Sequence, residues 1–133
     1  MQLAVSLFSG DEISEDELEI SLTKLHAQPD EDGGWRIERN NRPVFIELAN
    51  EDLVDLPESM IDSARELLGS SPKSRLVLLF GDDTEDHFEY RMVRAIAMAL
   101  SDRWSIVLDD HSGQVEMITP PGSVATNVQS TSA

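Results

Sequence analysis

Cysteine is absent from the 133 residues, which excludes a disulfide framework and any thiolate chemistry. Bases are scarce: ten Lys and Arg stand against 26 Asp and Glu, for a formal charge of −16. A surface of that sign repels nucleic-acid phosphates and anionic membranes, so neither is an expected partner. No apolar stretch approaches the ~20 residues of a membrane span. The run Leu3 to Phe8 is too short for a signal peptide and has no basic segment before it, so the cytoplasm is the expected compartment. The chain also lacks a phosphate loop, a glycine-rich dinucleotide fingerprint and a Gly-x-Ser-x-Gly elbow, and no cofactor is expected.

What is present is organised around Arg75 to Asp110. Leu76 to Phe80 is an unbroken apolar run bounded by Gly81-Asp82-Asp83, the pattern of a strand covered on both faces. Asp83, Thr84 or Asp86 then caps a helix in which Val93, Ile96, Ala97 and Leu100 recur at helical spacing. Arg91, Arg94 and Arg103 fall outside that stripe, Arg103 near the helix end, where a cation is favoured. Ile106 to Leu108 is the next strand, ended by Asp109-Asp110. Strand, helix and strand imply a parallel pair with a crossover, which brings Asp82-Asp83 and Asp109-Asp110 to one sheet edge.

Before this unit, Leu3 to Phe8 reads as a strand. Ser14 and Glu17 form a capping box for a helix from about Glu15 to Ala27, with Leu18, Leu22 and Leu25 on one side. Gln28 to Gly34 is a polar loop. Trp35 to Arg39 and Val44 to Leu48 form a hairpin around Asn40-Asn41, with Pro43 at a strand start or edge. Pro57 opens a second helix with an apolar stripe of Ile61, Ala64, Leu67 and Leu68, and Gly69 closes it. His111-Ser-Gly turns into a last strand at Val115 to Ile118. The order β-α-β-β-α-β-α-β-β predicts an α+β two-layer sandwich with a mixed sheet, a ferredoxin-like plan extended by a helix and a terminal hairpin. A single domain is expected over residues 1–119, with a disordered tail at 120–133.

Candidate chemistry divides three ways. Asp82, Asp83, Asp109 and Asp110, with His87 and His111 nearby in sequence, have the residue types for Mg²⁺; acidic caps on loops are the commoner explanation of such pairs, and no metal is expected. Arg36, Arg39 and Arg42 recur every third residue, either as a stripe for an acidic ligand or as partners of Glu38 and Glu47 across the strands. His26 sits at a helix end, solvated or capping. Trp104 belongs to the core, and Trp35 is the more open tryptophan.

The segment Arg94 to Val115 (Arg-Ala-Ile-Ala-Met-Ala-Leu-Ser-Asp-Arg-Trp-Ser-Ile-Val-Leu-Asp-Asp-His-Ser-Gly-Gln-Val) resembles the closing pattern of small bacterial immunity-type proteins: a helix rich in small apolar residues, a strand ending in Asp, a glycine turn and a last strand. The chain is also similar to them in size, acidity and α+β layout. That resemblance implies neutralisation of a toxin by direct binding. The expected function is therefore an acidic protein-binding module with a basic protein partner. Its expected contacts are Trp35, Asp82, Asp83, Asp86, Tyr90, Asp109 and Asp110, with Asp30, Glu31 and Asp32 as a second acidic group. The alternatives are a secretion chaperone or adaptor, and a small Mg²⁺-dependent enzyme using the strand-end aspartates. An enzyme requires a cleft with converging carboxylates, whereas a binding module requires an acidic face rimming an apolar patch.

Overall fold

The computed structural model of the chain describes residues 2–81 and 87–120. Seven strands form one sheet: β1 (Gln2–Ser9), β2 (Gln28–Pro29), β3 (Trp35–Arg39), β4 (Arg42–Leu48), β5 (Ser74–Gly81), β6 (Ile106–Asp109) and β7 (Val115–Ile118). Three α-helices, α1 (Glu15–Thr23), α2 (Glu58–Leu68) and α3 (Phe88–Leu100), and a 3-10 helix at Asn50–Asp55 complete the α+β fold. The strand order is β2-β3-β4-β5-β1-β6-β7, and every pairing is antiparallel.

The expected mixed sheet is thus corrected to an antiparallel one. β5 and β6 do run in the same direction across α3, but β1 lies between them and pairs antiparallel with both. The reason is burial. Leu7 and Phe8 point to opposite faces of β1, and both are fully buried, so that strand needs a central place with cover on each side. The ferredoxin-like order also gives way: β5 separates β1 from β4. Two elements absent from the expected order appear as well, the short β2 inside the polar loop and the 3-10 helix.

Two apolar clusters replace the single layer of helices expected. Leu18 and Leu22 of α1 and Val93, Ile96, Ala97 and Leu100 of α3 pack on one sheet face, over Leu7, Ile46, Leu76, Leu78, Ile106 and Leu108. Ala64 of α2, with Ile61 and Leu68, packs on the other face over Phe8 and Val107. Leu67 remains largely exposed. β6, like the Val5 to Ser9 part of β1, is therefore buried on both faces, while β5 alternates between buried and half-buried residues. The both-face cover expected for Leu76 to Phe80 is corrected accordingly.

Local chemistry sets most element ends. Ser14 Oγ accepts the Glu17 N–H at 3.2 Å and donates to its carboxylate at 3.0 Å, so Ser14 caps α1 as expected and holds the Glu17 side chain. α1 stops at Thr23, short of Ala27, because His26 turns left-handed (φ 66°) and the Ala27 N–H bonds back to the Leu22 carbonyl. Asn40 and Asn41 both take positive φ in the hairpin turn. Pro43 sits just before Val44, where β4 first meets β5, so its missing donor interrupts no β5 pairing. Gly34 (φ 77°) is a steric requirement: a Cβ there would lie 2.3 Å from the Ile46 carbonyl oxygen. α3 is preceded by His87, itself left-handed, at the N-cap; Asp83, Thr84 and Asp86, expected to cap it, lie outside the described residues. The tail expected from residue 120 lies outside them from 121 onward.

Candidate functional site

The two strand ends that were to share an edge are staggered. Gly81 pairs with Gln2, while Asp109 pairs with Ser6, four residues further along β1. At ~3.3 Å per residue that is an offset of ~13 Å along the strand, added to the width of the intervening β1. Asp82, Asp83 and Asp86 lie outside the described residues. Among the described residues no group of three His, Asp or Glu side chains is placed to hold a metal ion.

Asp109 and Asp110 face different surroundings. Asp109 is 5% exposed, on the face of Phe8 and Val107, and accepts the His111 backbone N–H at 2.8 Å. Beside it the Ser6 hydroxyl lies 2.7 Å from His111 Nε2, and Arg75 Nε donates to the same oxygen at 3.1 Å. Burial lowers the Arg75 pKa from its ordinary value, and the charges of Asp52 and Asp109 oppose that shift. Ser, His and Asp are thus grouped, but not as a nucleophilic triad. Asp109 holds the backbone of His111 rather than its ring, and Ser6 is fully buried beneath its partners. The network fastens the β6–β7 turn, in which His111 is left-handed (φ 66°), onto β1.

Asp110 joins Tyr90 on the other side. Both line a cleft of about 380 Å³ with Gln114 and Glu116. Partial burial pushes the Asp110 carboxyl up; hydrogen bonds from the Ser112 hydroxyl (2.7 Å) and amide (2.9 Å), with Gln114 and the His111 charge, outweigh this and hold it below its ordinary value. Arg94 bonds to Glu116, and that hydrogen bond, with a second to Tyr90, raises its pKa despite partial burial.

Trp35 is only 6% exposed and belongs to the main core, as does Trp104. Its rim borders a second cleft, of about 490 Å³, lined by Glu15, Glu47, Glu51 and Asp52. Asp30 and Asp32 are engaged in a local turn, Asp30 donating its N–H to the Gly34 carbonyl and accepting from the Asp32 amide. The arginine stripe divides: Arg42 pairs with the buried Glu89 of α3, with Nε 3.1 Å from Oε1, rather than with Glu38 or Glu47. Arg103 lies beyond the end of α3 and reaches Glu17 of α1 at 2.8 Å, its guanidinium over the Trp104 ring.

The feature missed in the sequence is a half of the sheet that, among the described residues, no α-helix covers on one face. α2 packs over β6 and β7, and among the described residues no α-helix packs on the same face over β3, β4 and β5. Phe45, Val77 and Leu79 alternate with core residues of β4 and β5, are half-buried, and belong to neither cluster. Glu38 and Glu47 share their face, and the 3-10 helix, with Glu51, Asp52 and Asp55 exposed, packs on β5. The signal was available: Leu76 to Phe80 is apolar on both faces, so one face needs a cover from somewhere.

No family model, curated protein or solved structure matches the chain.

Proposed function

We propose that this chain is an acidic protein-binding module that neutralises a basic protein by direct binding, as the resemblance to immunity-type proteins implies, and that it acts in the cytoplasm. The observation that carries this reading is the distribution of charge. Of the described acids only Glu89 and Asp109 are buried. Among the described contacts, Arg42, Arg65, Arg94 and Arg103 are engaged in ion pairs within the chain, and Arg75 with Ser6. The acidic surplus of the described residues is therefore carried by exposed or half-buried side chains. Such a field raises the encounter rate with a cationic protein and suppresses contact with anionic ones. Half-buried Asp110 and exposed Glu116, beside Tyr90 at one cleft, contribute to this field, Glu116 in part offset by Arg94.

The test is association kinetics with the proteins retained from the native host on the immobilised chain. The association rate should fall steeply as salt rises from ~50 to ~500 mM, where the screening length drops from above to below ~10 Å. Asp110→Asn with Glu116→Gln should slow association more than they shorten the complex lifetime. Retention of acidic proteins, or rates indifferent to salt and to these changes, would refute the reading.

A further inference from the structure

We infer that the half of the sheet without an α-helical cover among the described residues is the docking surface, and that its occupant is a cationic amphipathic helix of the partner protein. This rests on the binding reading above and adds the place and the shape of the contact.

The geometry comes first. Register aligns Arg36, Phe45, Leu79 and Ala4 in one row across β3, β4, β5 and β1, with Val77 one step along the same face. Three inter-strand spacings make that row ~14 Å wide, room for one helix of ~10 Å diameter. A sheet face with half-buried apolar residues is ordinarily completed by a helix layer, as α2 completes the other half of this same face. Charge then selects the occupant. Glu38 and Glu47 form an acidic rim on this face, and the charge of Asp52 acts on Arg75 at its end; against them stand Arg36 and Arg75, and Arg75 is already engaged with Ser6. A helix that lays an apolar stripe on Phe45, Val77 and Leu79 places its flanking side chains over this rim. Lys or Arg is favoured in those flanks and Asp or Glu is repelled.

The probe is a labelled Leu/Lys peptide of about 14 residues, four helical turns, with leucines at helical spacing. Its comparisons are the same lysines with serine in place of leucine, and the same leucines with glutamate in place of lysine. Anisotropy titrations with the full chain at ~150 mM salt should show the Leu/Lys peptide binding at least ~10-fold tighter than either. Leu79→Asp provides a test of sign: it adds an anion but removes apolar seating, so it should weaken binding ~10-fold, as should Phe45→Ser. Ile20→Asp, at a 55% exposed residue of α1 across the sheet, should leave affinity unchanged. In the unmodified protein, the methyl resonances of Val77 and Leu79 should shift on titration, which keeps the test valid if a variant fails to fold. Equal or tighter binding by Leu79→Asp, or shifts confined to the Tyr90–Asp110 cleft, would overturn the docking surface and leave the basic-partner reading intact. Failure of both lysine peptides to bind at ~50 mM salt would overturn the two together.

Discussion

Replacing Arg42 by alanine tests how the hairpin is tied to α3. Arg42 Nε lies 3.1 Å from Oε1 of Glu89, whose side chain is 7% exposed, while that of Arg42 is 28% exposed. Removing one member of a fully buried pair typically costs ~3–5 kcal/mol, because the remaining charge is left desolvated. Two effects reduce that here. Water reaches the arginine side, and Glu89 lies in the first turn of α3, where the helix dipole favours an anion by ~0.3–1 kcal/mol. Loss of the guanidinium stacked over Phe88, 5.3 Å from the ring centroid, acts in the opposite direction. The net expectation for Arg42→Ala is ~2–3 kcal/mol of lost stability. For a chain of this size that is a fall in Tm of ~6–12 °C, read by calorimetry with a denaturant titration alongside. Arg39 gives a control of opposite sign. It stands directly opposite Arg42 in the β3–β4 register, a like-charge pair, so Arg39→Ala should be neutral or slightly stabilising. Arg42→Met combined with Glu89→Leu removes both charges and should recover most of the loss. A loss below ~0.5 kcal/mol for Arg42→Ala, or a double variant no more stable than the single one, would refute the account of a desolvated carboxylate.

The two adjacent glycines should behave differently. Gly34→Ala drives a Cβ into the Ile46 carbonyl and should cost at least ~2 kcal/mol, whereas Gly33→Ala, with open space around it, should cost only the ~1 kcal/mol of a left-handed alanine; equal losses in urea titrations would show that the clash is relieved cheaply. The depressed carboxyl pKa of Asp110 stabilises the fold above its ordinary value of 3.8, and that contribution disappears as pH falls through the lower folded value. Asp110→Asn should therefore be less stable than the parent at neutral pH, with the difference narrowing below about pH 4; a gap that persists in acid would mean that the turn geometry, not the charge, is responsible. Amide exchange should be slowest in β5 and β1, the strands with neighbours on both sides at the centre of the sheet, and rapid exchange across Leu76 to Phe80 would contradict the topology.

Sequence alone determined the features governed by neighbours within a few residues. The N-cap at Ser14, the Asn40-Asn41 turn, the left-handed Gly69 and the stripe Val93-Ile96-Ala97-Leu100 each follow from local sterics, local hydrogen bonding or helical period, and each is present in the fold. The placement of the strands was decided only in three dimensions. Nothing near β5 or β6 in the chain indicates that β1, some 70 residues earlier, separates them; the opposed burial of Leu7 and Phe8 requires it. The same holds for the candidate site. Composition made an acidic surface evident, but adjacency of Asp109 and Asp110 in sequence could not reveal that one is sealed against Ser6, Arg75 and His111 while the other opens beside Tyr90. Likewise, an apolar run such as Leu76 to Phe80 shows that both sides of a strand favour burial, but which side this chain covers itself depends on where α2 lands. By packing over β6 and β7, α2 leaves Phe45, Val77 and Leu79 without a helical cover among the described residues.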